Sequence, residues 1–128
     1  MHQPFHEYRQ HIDLLLKNIG LFRNSSRFTP PSPNPPPKFI WFNSPAWPHR
    51  ADASVREHND TRTNARLKQM NDYASMRFAE NGFGVVDGFA TSIGFCTGGE
   101  SPDSAHFYST PVIEVMERLV AHRLDLCN

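Results

Sequence analysis

The segment Glu100-Ser101-Pro102-Asp103-Ser104-Ala105-His106-Phe107 sets an aspartate three residues ahead of a histidine, in a stretch rich in Gly, Ser and Pro. Those residue types at that spacing suit a catalytic base and the group that orients it. In that role the Asp103 carboxylate would accept a hydrogen bond from Nδ1–H of His106, fix its tautomer and leave Nε2 free to deprotonate a hydroxyl. Such a pair needs a nucleophile. Ser44 follows an apolar run, but no Gly-Asp precedes it and no helix follows at once, while Ser101 and Ser104 lie in the histidine segment itself. Taken alone, Asp-x-x-His is also the pattern of a surface histidine beside a helix-capping aspartate.

The order of segments around the pair narrows the choice. An apolar run over Lys38 to Asn43 leads into a polar stretch containing Asn59-Asp60-Thr61-Arg62-Thr63-Asn64, then a helical segment, a second strand ending at Asp87, the Asp103/His106 loop and a last helix. Asp103-Ser104-Ala105-His106 in this setting resembles the last sequence block of the SGNH/GDSL hydrolases, and in particular their esterase-like branch that includes the PC-esterases, which act on acyl groups of cell-surface glycans. The resemblance covers that family's C-terminal half. The family's Gly-Asp-Ser nucleophile turn, its glycine block and its Gly-x-Asn-Asp oxyanion loop have no counterpart in this sequence. Asn59-Asp60 is not that loop, because no glycine precedes it and it follows the strand containing Trp41.

The resemblance implies an α/β fold, a partial three-layer α/β/α (flavodoxin-like SGNH) arrangement with a short parallel sheet and flanking helices, as a single partial domain over residues 1–128. It implies ester hydrolysis or O-acyl transfer through an acyl-serine, with Asp103 and His106 as catalytic residues, no cofactor, and an O-acylated small molecule or glycan as substrate. A non-catalytic interaction module or a truncated gene product is the alternative, and exposed sheet edges would then favour self-association. An esterase of this kind would favour the secretory pathway or the extracellular space.

Composition excludes other classes. Thirteen basic and thirteen acidic residues cancel, so no global field draws the chain to nucleic acid or an anionic membrane. Seven histidines add positive charge below about pH 6.5. No apolar run approaches the ~20 residues that span a bilayer, and Met1-His2-Gln3-Pro4 opens no secretory signal. His2, His6 and His11 read as solvated, since no cysteine or carboxylate cluster stands near them to complete a metal site. The glycines between Gly88 and Pro102 match no phosphate-binding frame and read as a flexible segment that lets His106 swing. Cys96 and Cys127 flank the Asp103/His106 segment and the last helix. A bridge between them would tether the C-terminus, stabilise the fold by about 3 kcal/mol and imply an oxidising compartment; two unrelated thiols are the other reading.

The elements that must position the pair follow from periodicity. Phe5, Tyr8, Ile12, Leu15, Leu16, Ile19 and Phe22 recur every three or four residues, which predicts a helix over 5–22 with one buried face, stopped near Gly20. Six prolines in the eight residues 30–37 then make an extended, Pro-rich connector over 29–37. Lys38 to Asn43 predicts a central parallel strand buried on both faces, and Trp47 and His49 beyond it are candidates for lining a pocket. A solvated loop over 52–64 is expected, with Arg62 or Asn64 as possible crevice donors. Ala65 to Asn81 predicts a helix with Leu67, Met70, Ala74 and Phe78 on its buried face, capped by Thr63 or Asn64 and closed by Asn81-Gly82. Phe83 to Asp87 predicts a second strand, parallel to the first, whose Asp87 reads as a loop-capping carboxylate. Thr110-Pro111 opens a final helix that turns Val112, Val115, Met116, Leu119 and Val120 to the sheet.

Overall fold

A computed structural model of the chain describes residues 4–24, 38–47, 63–95 and 110–124. Within them the fold is mixed α/β and mostly helical. The elements run α1 (Phe5–Arg23), β1 (Ile40–Phe42), α2 (Asn64–Glu80), β2 (Gly84–Val86), α3 (Gly88–Ile93) and α4 (Thr110–Arg123). The Pro-rich connector over 29–37 lies outside the described residues.

β1 and β2 form a two-stranded parallel sheet with Ile40 opposite Gly84, Trp41 opposite Val85 and Phe42 opposite Val86. Parallel strands need a crossover, and α2 supplies it. Thr63 starts α2 by accepting the Arg66 N–H on its side chain. At the other end the Gly82 N–H reaches Ala79 O and the Phe83 N–H reaches Phe78 O, and Gly82 has φ +78°. This is a Schellman stop, which places glycine where a side chain would be strained and aims the chain into β2.

The main core lies between α1, α2 and the sheet. Ile12 and Leu16 of α1 meet Ala74 and Phe78 of α2, with Tyr8, Ile19, Trp41, Tyr73 and Phe83 packed around them. Phe78 is its centre: the Trp41 ring stacks on it at 4.1 Å, and Phe83 meets it edge-on at 4.9 Å. Each such pair adds roughly 0.5–1.5 kcal/mol beyond the area it buries. Outside the core, Arg77 of α2 donates to Asp13 of α1 at 2.9 Å, and the Tyr73 hydroxyl donates to the same carboxylate.

Several expectations change. α1 runs through Gly20 to Arg23, because one glycine costs a helix only about 1 kcal/mol and Asn24 continues its bonding as cap. Its buried stripe is narrower than the sequence suggests, with Leu15 42% and Phe22 49% exposed. On α2, Asn71 is buried beside Ala74 and Phe78, while Leu67 and Met70 are half-buried. β1 is shorter than expected and not covered on both faces: Phe42 is 37% exposed. On α4, Val112 is fully buried and Met116 and Val120 are half-buried, while Val115 and Leu119 are exposed. A helix that meets only two strands covers one narrow row of its residues, here i, i+4 and i+8. The stretch expected to be flexible from Gly88 opens instead with α3.

Candidate functional site

In an open parallel sheet, ligands bind outside the carboxyl ends of the strands. Here those ends are Asn43-Ser44-Pro45-Ala46-Trp47 after β1 and Asp87-Gly88 after β2. Asn43 ties them together. It is 3% exposed, its backbone N–H continues the ladder to Val86 O, and its side chain spans the gap. Oδ1 accepts the Phe89 N–H at 3.0 Å, and Nδ2 donates to Asp87 Oδ1 at 3.0 Å and to Ser75 Oγ at 3.2 Å. A buried amide with both ends satisfied specifies one geometry, since any other arrangement strands polar groups.

Two more asparagines hold the rest of the loop. Asn71 Oδ1 accepts the Ser44 N–H and its Nδ2 donates to Ser44 O at 2.7 Å. Asn64, one heptad earlier on the same helix face, repeats the pattern on Trp47: Oδ1 accepts the Trp47 N–H at 2.6 Å and Nδ2 donates to Trp47 O at 3.0 Å. Each amide thus imitates a neighbouring strand, supplying one donor and one acceptor to a backbone that has left the sheet. Between them the Ala46 N–H donates to the buried Ser92 Oγ at 2.8 Å, which itself donates to Gly88 O at 2.7 Å. Ala46 and Phe89 pack together with Leu67 against them.

Asp87 begins α3. Its Oδ1 accepts from the Ala90 N–H at 2.9 Å as well as from Asn43. Close packing requires the glycine that follows: a Cβ on Gly88 would lie 2.7 Å from Asn43 O and 2.9 Å from the Phe42 ring. α3 and α4 touch each other, and α4 also touches β2. The chain between α3 and α4 is the segment that contains the Asp-x-x-His pair.

The site residues named from sequence divide accordingly. Asp103 and His106 lie outside the described residues, as do Cys96, Cys127, His49 and Arg62. Asn64 is found bracing the Trp47 backbone, and Asp87, expected to cap a loop, caps helix α3 instead. His6 and His11 lie exposed on α1, and among the described residues no group of three His, Cys, Asp or Glu stands together to hold a metal. No described helix is long and apolar enough to cross a membrane. Sequence reasoning missed Asn43 and Asn71. The signal for Asn71 was its seven-residue spacing from Asn64 within a helix, where asparagine is a poor former and a repeated one marks a bonding face; Asn43 carried no such signal.

Chemically, the loop has its amides committed. The N–H groups of Ser44, Ala46, Trp47, Phe89 and Ala90 all donate within the fold, so none is available to stabilise an oxyanion. The polar side chains of Ser44 and Asp87 at these strand ends are exposed. No protein-family model, curated protein or solved structure matches the chain.

Proposed function

We propose that this chain is the C-terminal part of an SGNH/GDSL-like esterase or O-acyltransferase, one partial domain that carries the Asp103/His106 base. The observation that carries the reading is the parallel β1–α2–β2 unit whose carboxyl ends are cross-tied by Asn43, beside two touching helices that bracket the Asp103/His106 segment. The three-layer arrangement is supported by the two strands meeting different helices: Trp41 of β1 stacks on Phe78 of α2, and α4 touches β2.

In this reading His106 removes the proton of a serine hydroxyl as that oxygen attacks the ester carbonyl. It then passes the proton to the departing alcohol. In the second half His106 deprotonates water or an acceptor hydroxyl as it attacks the acyl-serine carbonyl, then returns the proton to the serine oxygen as the acyl group leaves, and Asp103 stabilises the imidazolium each time. The committed amides of the 43–47 loop support a nucleophile and oxyanion donors that come from outside these residues. The substrate is an O-acylated small molecule or glycan.

The test is turnover of 4-nitrophenyl acetate by the full-length form. His106→Ala is expected to abolish it, and Asp103→Asn to lower it by about a thousandfold or more. Unchanged turnover in His106→Ala would remove the reading.

One observation favours the second reading, a non-catalytic module that self-associates, here through an apolar groove rather than the sheet edge expected from sequence. An open groove of about 420 Å³ runs between Phe42 and the α4 residues Met116, Glu117, Val120, Ala121 and Leu124. Under that reading the chain is a dimer by light scattering and Val120→Glu makes it a monomer; a wild-type monomer would exclude it.

A further inference from the structure

Asn81-Gly82 is the chain's only Asn-Gly pair, and it stands exposed at the end of α2. An asparagine before glycine is open to attack on its own side chain, because glycine has no side chain to hinder the approach. The Gly82 nitrogen adds to Asn81 Cγ, ammonia leaves and a succinimide ring closes; water then opens the ring at either carbonyl, giving aspartate or isoaspartate. The fold opposes the first step in two ways. At ψ 15° the Gly82 nitrogen lies nearly eclipsed with the Asn81 nitrogen, whereas ring closure needs it on the Cβ side. The Gly82 N–H is also spent on Ala79 O at 3.0 Å, and Asn81 Nδ2 on Arg77 O at 2.8 Å. Leaving this conformation breaks both bonds and undoes the positive-φ turn that aims the chain into β2. A third hold comes from α1: Arg23 Nη1 donates to Asn81 O at 3.2 Å, while its guanidinium lies over the Phe39 and Phe83 rings at 5.1 and 5.6 Å.

We propose that Asn81 is a gated site of spontaneous modification, converted to aspartate or isoaspartate when the end of α2 opens, and that Arg23 is the clasp that keeps it closed. The conversion needs water and no enzyme, and it does not depend on what the chain does. Its consequence is structural. Aspartate at 81 loses the donor to Arg77 O and sets a negative charge at the C-terminal end of a helix, where the dipole disfavours it. Isoaspartate adds a methylene to the main chain between the α2 stop and β2. Either product weakens the stop, so a chain that has opened once opens more readily again.

Peptide mapping of protein held in mildly alkaline buffer, with and without denaturing urea, reads the conversion at Asn81 directly. The folded wild type is expected to convert about tenfold or more slowly than the unfolded chain, since the reaction waits on a local opening. Arg23→Ala is expected to speed the folded rate by about two- to fivefold, the worth of an exposed cation–π contact, and to leave the rate in urea unchanged because Arg23 is distant in sequence. Equal rates in the folded wild type and in urea would overturn the gate, and no conversion in urea would overturn the site. A folded Arg23→Ala that converts at the wild-type rate would overturn the clasp. Amide hydrogen exchange on the wild type decides the gate without any variant: the Gly82 N–H is expected to exchange about tenfold or more slowly than in an unstructured chain, and an unprotected Gly82 N–H would overturn it.

Discussion

Asn43 concentrates more of the fold's specificity than any apolar residue near it. Its side chain spends both ends on three partners from two other elements, and it is almost fully buried. Removing it leaves the Phe89 N–H without a partner in a site too tight for easy rearrangement, since Gly88 already stands against Asn43 O. Asn43→Ala is therefore expected to destabilise the protein by about 1–3 kcal/mol, read from the denaturant midpoint at unchanged slope. A loss within experimental error would mean that the cross-tie does not hold the strand ends. Asn71 acts on a smaller unit. In Asn71→Ala the Ser44 amide loses its acceptor and is expected to exchange with solvent faster, while amides around Phe78 keep their protection. Faster exchange at both places would show that the asparagine supports the core rather than the loop.

At the scale of elements, apolar periodicity was a good guide to which helices and strands form and a poor one to how much of each is covered. The α1, α2 and α4 patterns each located a helix, and Asn81-Gly82 located the stop of α2, because the i, i+3, i+4 repeat and the positive-φ glycine are local properties. Leu15, Phe22, Val115 and Leu119 fit the same repeats yet remain exposed, because coverage depends on what lies opposite, and that is not written locally. α3 was hidden for a related reason: Gly88-Phe89-Ala90-Thr91-Ser92-Ile93 has weak helical propensity and forms under the Asp87 cap and the packing of Phe89. The Asp-x-x-His pair was legible only as a pattern, with Asp103 and His106 outside the described residues.

The α1–α2 contact carries its own pH dependence. The hydrogen bond from the Arg77 guanidinium holds the Asp13 carboxyl below the ordinary aspartate range, helped by the Tyr73 hydroxyl and the nearby charges of Arg77 and Arg9 and opposed by partial desolvation. A carboxyl with a depressed pKa in the fold contributes stability above its unfolded value of about 4, and that contribution is lost as pH falls through the lower folded value. The melting temperature is thus expected to drop more steeply below about pH 4 in the wild type than in Asp13→Asn. Parallel curves for the two proteins would show that this surface pair contributes nothing measurable, as many do.

At the scale of the whole molecule, the two strands among the described residues are a small sheet for the helices around them. α4 buries Val112 fully but leaves Met116 and Val120 only half covered, and the groove beside Phe42 marks where its coverage ends. The esterase reading accounts for this with sheet and site residues from elsewhere in a longer protein; the interaction reading accounts for it with a second copy. Covalent labelling separates them most directly. A fluorophosphonate phosphonylates a serine far faster when a base has activated it. In the full-length form the esterase account predicts one adduct by intact mass, on a serine in a Gly-Asp-Ser turn outside residues 1–128, formed at a rate that collapses in His106→Ala. No adduct, or an adduct formed equally fast without His106, would contradict it.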